Sequence, residues 1–407
     1  MTITQEQRDK ERAFFEAEMK RVPAFFEREP MIDTTDLLKW IGISTLSEQR
    51  TLGYLRMFAQ DFIVEEIAND GSIHNVDVGP LYADLSAEGA TYYVDLIKVG
   101  LSTLETKFRI AEKLKIDPKH INYAGLKDRV ALTSQLISVR SLTDETLFDN
   151  INDEYFFVKN ITKGKGVVAN GDLKGNRFTI TIRLQQTLND NDIAQIENKI
   201  LDIKRDGFWN YYYLQRFGTP RLLSHWLGLM IFRGQFEETA KTFVTFVAHR
   251  ELPYFKQIRE NMSKNWGNWK FLVEQMQSFP THFNQELSLI THLRDNPSDF
   301  VGALHQIQDQ VRLWIYAYDS YLFNRLLSDL ILEGNVPPVL PLITSFNASD
   351  WQPYRTFLDA DGVSLPAPAL RNFPFVRLES RTLATKQQLE IHGFKVKDKF
   401  AIFSFSL

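Results

Sequence analysis

Short apolar runs recur in the first half of the chain and predict β-strands. The clearest is Phe178–Leu184, where apolar and polar residues alternate strictly, as expected of a half-buried strand. Further apolar runs that predict strands occupy residues 62–66, 92–97, 121–124 and 136–139. Residues 158–176 are rich in glycine and lysine and predict a basic hairpin or loop.

Helical patterns occupy other parts of the chain. The segment Ser102-Thr103-Leu104-Glu105 fits a capping box, so we expect a helix to begin there and to stop at Pro118. Residues 4–29 predict one or two charged helices, broken around Pro23. After Gly218, helical spacing occupies residues 225–232, 237–248 and 301–332.

The change between these patterns predicts the domain organisation. Strand-rich residues 51–218 are followed by helical residues 219–376, and strand character returns in residues 377–407. We therefore expect a helical domain inserted into a mixed domain of helices and strands that comprises 51–218 and 377–407. Residues 1–50 are predicted to form an N-terminal helical extension that packs on a domain behind it.

Composition excludes several kinds of protein and site. Of 407 residues, 44% are hydrophobic and 24% are charged, which is typical of a globular rather than a disordered chain. The absence of cysteine excludes disulfides, thiolate zinc sites and cysteine nucleophiles. No apolar run approaches the ~20 residues of a membrane helix, and the polar N-terminus is unlike a signal peptide. We therefore expect a cytoplasmic protein that binds neither membrane nor metal.

The net charge of −4 argues against a nucleic-acid ligand only when the chain is taken as a whole. Residues 51–106 carry 2 basic and 9 acidic side chains, whereas residues 107–183 carry 14 basic and 9 acidic ones. Because local Lys and Arg determine the affinity for phosphates, an RNA ligand is expected to contact residues 107–183 rather than 51–106.

The most informative segment for chemistry is Tyr123–Gln135. Asp128 lies there between the cations Lys127 and Arg129, shortly after Gly125, and both cations favour its ionised form. An ionised carboxylate at a loop tip can act as a nucleophile or a base. The residue pattern alone fits a solvated turn at least as well, so both interpretations stay open at this point.

A resemblance to a known family favours the functional interpretation of Asp128 over the solvated turn. Gly125–Arg129, with Ala131, Thr133 and Gln135, resembles the signature A-G-x-K-D-[KR]-x-A-[VL]-T-x-Q of the TruD family of tRNA pseudouridine synthases. Further segments resemble the family in the same order, namely Asp61–Glu65, Gly171–Phe178, Asn210–Gly218 and Ser320–Asn324. The resemblance covers about residues 52–407 and leaves residues 1–50 outside.

The resemblance implies an α+β fold. We expect the mixed, largely antiparallel sheet of pseudouridine synthases with flanking helices, and an inserted, mainly helical TruD domain at residues 219–376. The implied function is an isomerase that converts a uridine of tRNA, at position 13, into pseudouridine without a metal or other cofactor. The implied partner is tRNA, and the sequence identifies no particular protein partner.

The resemblance also implies roles for individual residues. Asp128 corresponds to the catalytic aspartate, Phe178 to the residue that packs against the flipped target base, and Asn176 to a position beside the aspartate loop. Without the family pattern, Phe178 is better explained as a core residue, because it begins the apolar face of its strand.

Cations near Asp128 are candidates for substrate contacts. Arg56 stands where the family generally has Lys, and it is expected to pair with Asp128 or to contact RNA. Arg keeps the charge of Lys at this position but not its shape. Lys127 and Arg129 are candidate phosphate contacts, although a single exposed cation is usually just solvated.

The chain departs from the family pattern at three places. Tyr213 stands where the family has glycine, and Asp319 stands where Gln is common. The chain also ends at Leu407, before a segment like L-P-x-G-x-Y-A-T-x-x-L-R-E, so we expect a catalytic domain that is short at its C-terminal end.

Two alternatives stay open. The missing C-terminal segment and Tyr213 motivate the first, a catalytically weak RNA-binding protein that retains the fold. The other is an aspartate-dependent hydrolase of a glycosidic bond in a small molecule, which the basic stretch and the lack of a second matched carboxylate disfavour.

Overall fold

The computed structural model describes residues 4–27, 32–45, 53–142, 144–342, 348–365, 367–377 and 381–407. The α-helices are α1 (Gln5–Arg21), α2 (Thr35–Trp40), α3 (Thr103–Leu114), α4 (Asp190–Asp206), α5 (Ser224–Phe232), α6 (Phe236–Thr245), α7 (Pro253–Lys264), α8 (Trp269–Met276), α9 (Asn284–Asp295), α10 (Phe300–His305), α11 (Gln308–Glu333), α12 (Ala348–Trp351) and α13 (Arg355–Ala360). The strands are β1 (Gly53–Leu55), β2 (Phe62–Ile67), β3 (Ile73–His74), β4 (Tyr82–Asp84), β5 (Thr91–Val99), β6 (Ile121–Tyr123), β7 (Leu132–Arg140), β8 (Phe156–Gly164), β9 (Gly175–Leu184), β10 (Phe208–Trp209), β11 (Val339–Leu342), β12 (Arg381–Ala384), β13 (Lys386–Gln387), β14 (Glu390–Lys397) and β15 (Phe400–Ser406).

The chain forms two compact units. The helical unit contains Met1–Glu48 and Trp209–Lys386, and the sheet unit contains Gln49–Phe208 and Gln387–Leu407. The boundaries of 50, 218 and 376 that the sequence suggests stay a prediction. In the structure, the N-terminal segment shares a unit with the inserted helices.

The sheet unit is built on one mixed sheet with the strand order β14-β15-β9-β2-β7-β5-β8-β4. Strands β2 and β7 are parallel, as are β4 and β8, and the other neighbours in this order are antiparallel. The predicted α+β class with a largely antiparallel mixed sheet is therefore confirmed.

Helices cover this sheet with apolar faces. Ser102 caps α3 and Glu105 completes the predicted capping box. Ile110 and Leu114 of α3 are buried in one core with residues of β5, β7 and β8 such as Val94. Farther along the sheet, α4 packs against β14. The sheet and its helices thus share a buried apolar core.

One local prediction in this unit is wrong in part. Residues 158–176 were expected to form a basic hairpin or loop, and residues 165–174 do connect two strands. Residues 158–164, however, belong to β8 (Phe156–Gly164), which pairs with β5 and β4 rather than forming a hairpin with β9. Phe156, Val158 and Ile161 of this strand are buried in the core. Their burial outweighs the glycine and lysine content that favoured a loop.

The helical unit is organised around α5 and α11. All residues of α5 except Trp226 are buried, and α11 contributes the buried Trp314 and Tyr318 to the same core. The N-terminal segment packs on this unit, since Phe15 contacts Phe255 and Phe279. Within the described ranges, no helix is long and apolar enough to cross a membrane.

Gly228 allows α5 to approach α11 closely. A Cβ atom at this position would lie 2.2 Å from the carbonyl oxygen of Trp314, which is backbone and cannot easily move. We predict that Gly228→Ala lowers the free energy of unfolding by about 1–3 kcal/mol, despite the higher helix propensity of Ala. Urea denaturation measures the effect.

Gly393→Ala is the matched control, because a Cβ atom there meets no atom within 4 Å. If both substitutions leave stability unchanged, the close contact between α5 and α11 is not a constraint on the fold.

Candidate active site

The candidate site lies in the sheet unit, on the loop of residues 124–131 between β6 and β7. Strand β7 runs beside β2, and β2 runs beside β9, where Val64 is paired with Phe178 and Glu66 with Asn176. Strand β1, just before Arg56, pairs with the far end of β9. The sheet thus brings four distant sequence segments to one region.

Asp128 presents its carboxylate at the surface of this loop. Its side chain is 46% exposed, and Nη2 of Arg56 lies 3.2 Å from its Oδ2. The Arg56 guanidinium also lies 3.6 Å from the ring centroid of Phe62. Arg56 adopts a left-handed backbone conformation with φ 56°, which is unusual for a residue with a side chain. The structure therefore brings Arg56 to Asp128, as one of its two predicted roles requires.

A buried lysine supports the backbone of the Asp128 loop. Lys98, at the end of β5, is 1% exposed, and its Nζ donates to the carbonyl oxygens of Leu101 at 2.9 Å and of Asp128 at 2.8 Å. A longer contact of 3.4 Å reaches the carbonyl of Lys127. Burial lowers the pKa of Lys98 to about 8, although the nearby Asp128 opposes this shift. The ammonium thus ties the loop to the sheet.

Lys127 points inward instead of toward Asp128 or solvent. Its Nζ lies 2.7 Å from Oε2 of Glu66 and donates to Oδ1 of Asn176 at 2.9 Å. The side chains of Lys127 and Glu66 are 4% and 2% exposed. The predicted phosphate contact of Lys127 does not fit this geometry, because the ammonium is buried in an ion pair. Lys127 instead links the loop to β2 and β9.

Arg129 points outward on the other side of Asp128. Its side chain is 62% exposed, its Nε donates to the carbonyl oxygen of Gly100 at 3.2 Å, and Nη1 lies 3.7 Å from Glu105. The two cations that flank Asp128 in sequence thus contact other groups. Of the three candidate cations, Arg56 is the one that pairs with the Asp128 carboxylate.

Neutral side chains complete the support of the loop. Thr103 Oγ1 accepts a hydrogen bond from the Lys127 amide at 2.9 Å and donates to Gln135 Oε1 at 3.1 Å. Nε2 of Gln135 donates to the carbonyl oxygen of Gly125 at 3.0 Å. The start of α3 and strand β7 thereby hold both sides of the same loop.

Phe178 is half-buried among other aromatic residues. Its ring stacks on Phe405 of β15 with centroids 5.2 Å apart and meets Phe62 edge-on at 6.0 Å. Asn176 lies two residues earlier on β9, and its backbone exchanges hydrogen bonds with Leu407. The structure places Phe178 and Asn176 on one strand beside β2, with Asn176 bound to the aspartate loop through Lys127.

Two ion pairs hold the strands of the site in register. Arg183 forms a bidentate pair with Asp61, at 2.7 and 2.8 Å, and this hydrogen bonding lowers the pKa of Asp61. Arg177 pairs with Glu65 at 2.7 Å. Both pairs join β9 to β2 or to the residue just before it, so they fix Phe178 relative to the loop.

Lys98 and Glu66 are the residues that sequence reasoning missed. Lys98 lies at the end of the apolar segment Tyr92–Val99, where a charged residue is unusual and could have served as a signal. Glu66 is adjacent to Glu65, and their alternation on β2 sends one carboxylate to Lys127 and the other to Arg177. Among the residues that the structure describes, no group of three His, Cys, Asp or Glu could hold a metal ion.

With the fold and the site defined, comparisons identify the family. The family model described as tRNA pseudouridine synthase D (TruD) matches residues 41–339, which is most of the chain. The chain therefore belongs to the TruD family.

Individual relatives agree with this assignment. A protein of Methanopyrus kandleri named as a probable tRNA pseudouridine synthase D is 31% identical over 241 residues, which cover 59% of this chain and 58% of that protein. One of Methanocaldococcus jannaschii, named as probable tRNA pseudouridine synthase D 2, is also 31% identical, over 68% of this chain and 60% of that protein. The chain spans about three fifths of the length of these relatives.

A solved structure shares the fold. The crystal structure of a Methanosarcina mazei protein, a candidate tRNA pseudouridine synthase D, superposes with a TM-score of 0.72 and covers 92% of this chain and 95% of that one. The identity is 23%, so this likeness shows the fold alone. It confirms the pseudouridine synthase fold that the sequence motifs predicted.

The buried pair of Lys127 and Glu66 predicts unequal effects for the two cations beside Asp128. Lys127→Met leaves a buried carboxylate without its partner and should lower the free energy of unfolding by about 3–5 kcal/mol. Arg129→Met removes a largely exposed cation and should change it by less than about 0.5 kcal/mol. Urea denaturation of both variants measures the difference, and equal effects would contradict the inward orientation of Lys127.

Proposed function

We propose that the chain converts one uridine of tRNA, at position 13, into pseudouridine, with Asp128 as the catalytic residue. The observation that carries this proposal is a half-exposed carboxylate on a loop that two buried ammonium groups tie to the sheet, in a chain of the TruD family. As an enzyme acting on tRNA, it would work in the cytoplasm.

The reaction is an isomerisation, so the product contains the same atoms as the substrate. The bond between uracil N1 and ribose C1′ breaks, the base turns, and a bond forms between C5 and C1′. The proton lost from C5 is balanced by the proton gained at N1. The reaction therefore consumes no oxidant, reductant or second substrate, and general acid–base or nucleophilic catalysis by side chains is sufficient for it.

The environment of Asp128 suits this chemistry. Its carboxylate is accessible, and the guanidinium of Arg56 lies 3.2 Å from it. Three roles are compatible with this geometry, namely attack on the sugar, attack on the base and assistance of elimination at the ribose. Each requires the target uridine to leave the RNA stack, at a cost of a few kcal/mol.

Other residues near the loop are assigned supporting roles in this proposal. Phe178 would contact the flipped base through the part of its ring that Phe405 does not cover. Asn176 would position the aspartate loop through its hydrogen bond with Lys127. Arg129, which is largely exposed, would contact a phosphate of the RNA.

The proposal predicts that Asp128→Asn lowers the rate of pseudouridine formation by at least ~10³-fold. The amide keeps the size of the side chain but can act neither as a nucleophile nor as a base. The affinity for RNA should change by less than about threefold, because one exposed charge contributes little to binding. Pseudouridine is measured by chemical mapping of an unmodified tRNA transcript, and affinity by titration of the same transcript.

Glu112→Gln is a matched control, because it neutralises an exposed carboxylate on α3 away from the loop. An Asp128→Asn variant with the activity of the control would overturn the proposed role of Asp128. Binding of tRNA without any conversion by the unsubstituted chain would favour the alternative of a catalytically weak RNA-binding protein.

The low pKa of Lys98 predicts a pH dependence. Below pH 8 the ammonium has three protons to donate to the loop carbonyls, whereas the neutral amine has two. The rate of pseudouridine formation should therefore decrease as the pH rises through about 8. In Lys98→Met the rate should be low and should lack this alkaline decrease. A pH profile that is the same in both proteins would show that Lys98 does not position the loop.

A further inference from the structure

The helical unit contains a cavity that the proposed reaction does not use. Its volume is about 160 Å³. Its wall includes Tyr212, Arg216, Tyr316, Asp319, Arg377 and Arg381. A cavity of about 150 Å³ can hold one benzene molecule, so this one has room for a single ring and extends to solvent at its mouth.

Asp319 supplies an unusual group to the wall of this cavity. It lies on α11 and is 2% exposed. Neither of its carboxyl oxygens has a hydrogen-bond partner among the residues that the structure describes. Burial raises the pKa of Asp319 well above its usual range, and the charge of Arg216 opposes this only in part. A buried carboxyl group without partners is costly, so a ligand that hydrogen-bonds to it would recover free energy.

The mouth of the cavity has the opposite character. Arg216, Arg377 and Arg381 are exposed and make the rim positively charged. The Tyr316 hydroxyl donates to the carbonyl oxygen of Arg377 at 3.0 Å, which holds this part of the rim against α11. The Arg216 guanidinium lies 4.9 Å from the ring centroid of Tyr212. A fitting ligand is therefore polar and flat at its inner end and anionic at its outer end.

We propose that this cavity binds one unpaired nucleotide of the RNA, with the base against Asp319 and the phosphate at the arginine rim. A protonated carboxyl group has one donor and one acceptor, and the Watson–Crick edge of every base offers an adjacent donor and acceptor. Arg side chains at the rim suit phosphate oxygens. The proposal rests on the proposed function only in taking RNA as the ligand.

The first test measures binding of 5′-CMP and of ribose 5-phosphate, which lacks a base, to the full chain by saturation-transfer NMR. The nucleotide should bind at least 10-fold more tightly than the sugar phosphate. Asp319→Asn keeps one donor and one acceptor and should retain this preference, whereas Asp319→Leu should lose it. Asp329→Leu, an exposed position on the same helix, is the matched control. A preference that survives Asp319→Leu would overturn the proposal.

Folding of the variants is checked by thermal unfolding. Asp319→Leu replaces an unpartnered carboxyl group by an apolar side chain of similar shape, so its Tm should not be lower than that of the unsubstituted chain. The Asn variant keeps the test decisive if the Leu variant does not fold, because loss of the preference in folded Asp319→Asn would also contradict the proposal.

The second test separates RNA from a free nucleotide. Unmodified tRNA should bind several-fold more weakly to Asp319→Leu than to the control, and it should displace 5′-CMP from the unsubstituted chain. Unchanged tRNA affinity would assign the cavity to a free nucleotide and overturn the proposal. Asp128→Asn should bind 5′-CMP normally, so failure of the catalytic proposal and failure of this one give different results.

Discussion

The candidate site depends on one buried ion pair, between Lys127 and Glu66. It joins the loop that carries Asp128 to the central strand β2, and the hydrogen bond from Lys127 to Asn176 extends the link to β9. Two charges at 4% and 2% exposure are costly to bury, and their attraction offsets this cost only when the geometry is maintained. The pair therefore does more for the position of the loop than for the net stability of the fold.

The residues that hold the loop in position are thus different from the residue that is proposed to react. Lys98 and Lys127 hold the backbone of the loop from below, so the Asp128 carboxylate can stay half-exposed without its own buried partner. Arg56 follows β1 directly and is also partly exposed, and it supplies the positive charge next to the Asp128 carboxylate. A carboxylate that is both fixed in position and accessible is suited to a reaction on a base that has left the RNA stack.

Much of the sheet could be predicted from the sequence because short apolar runs, or apolar and polar residues in alternation, mark its strands. The alternation in Phe178–Leu184 identifies β9, and the capping box at Ser102 identifies the start of α3. The first part of residues 158–176 was misjudged, because the burial of Val158 and Ile161 depends on neighbouring strands that the local composition does not reveal. Local sequence patterns predict an element correctly where its burial does not depend on strands that lie far away in the sequence.

The candidate site was only partly predictable for a related reason. Family motifs pointed to Asp128, Phe178 and Asn176, and the structure places Phe178 and Asn176 beside the strand that contacts the Asp128 loop. The sequence could not show that Lys127 turns inward while Arg129 turns outward, because both flank Asp128 identically. That distinction arises from Glu66, a residue some 60 positions earlier that only the sheet register brings to the loop.

The most direct test of the account is incubation of this chain with an unmodified tRNA transcript, followed by chemical mapping of every uridine. The account predicts that one uridine, at position 13, is converted to pseudouridine, and that a chelator of divalent metals does not prevent the conversion. A tRNA that binds to the chain and is recovered with all of its uridines unchanged would contradict it.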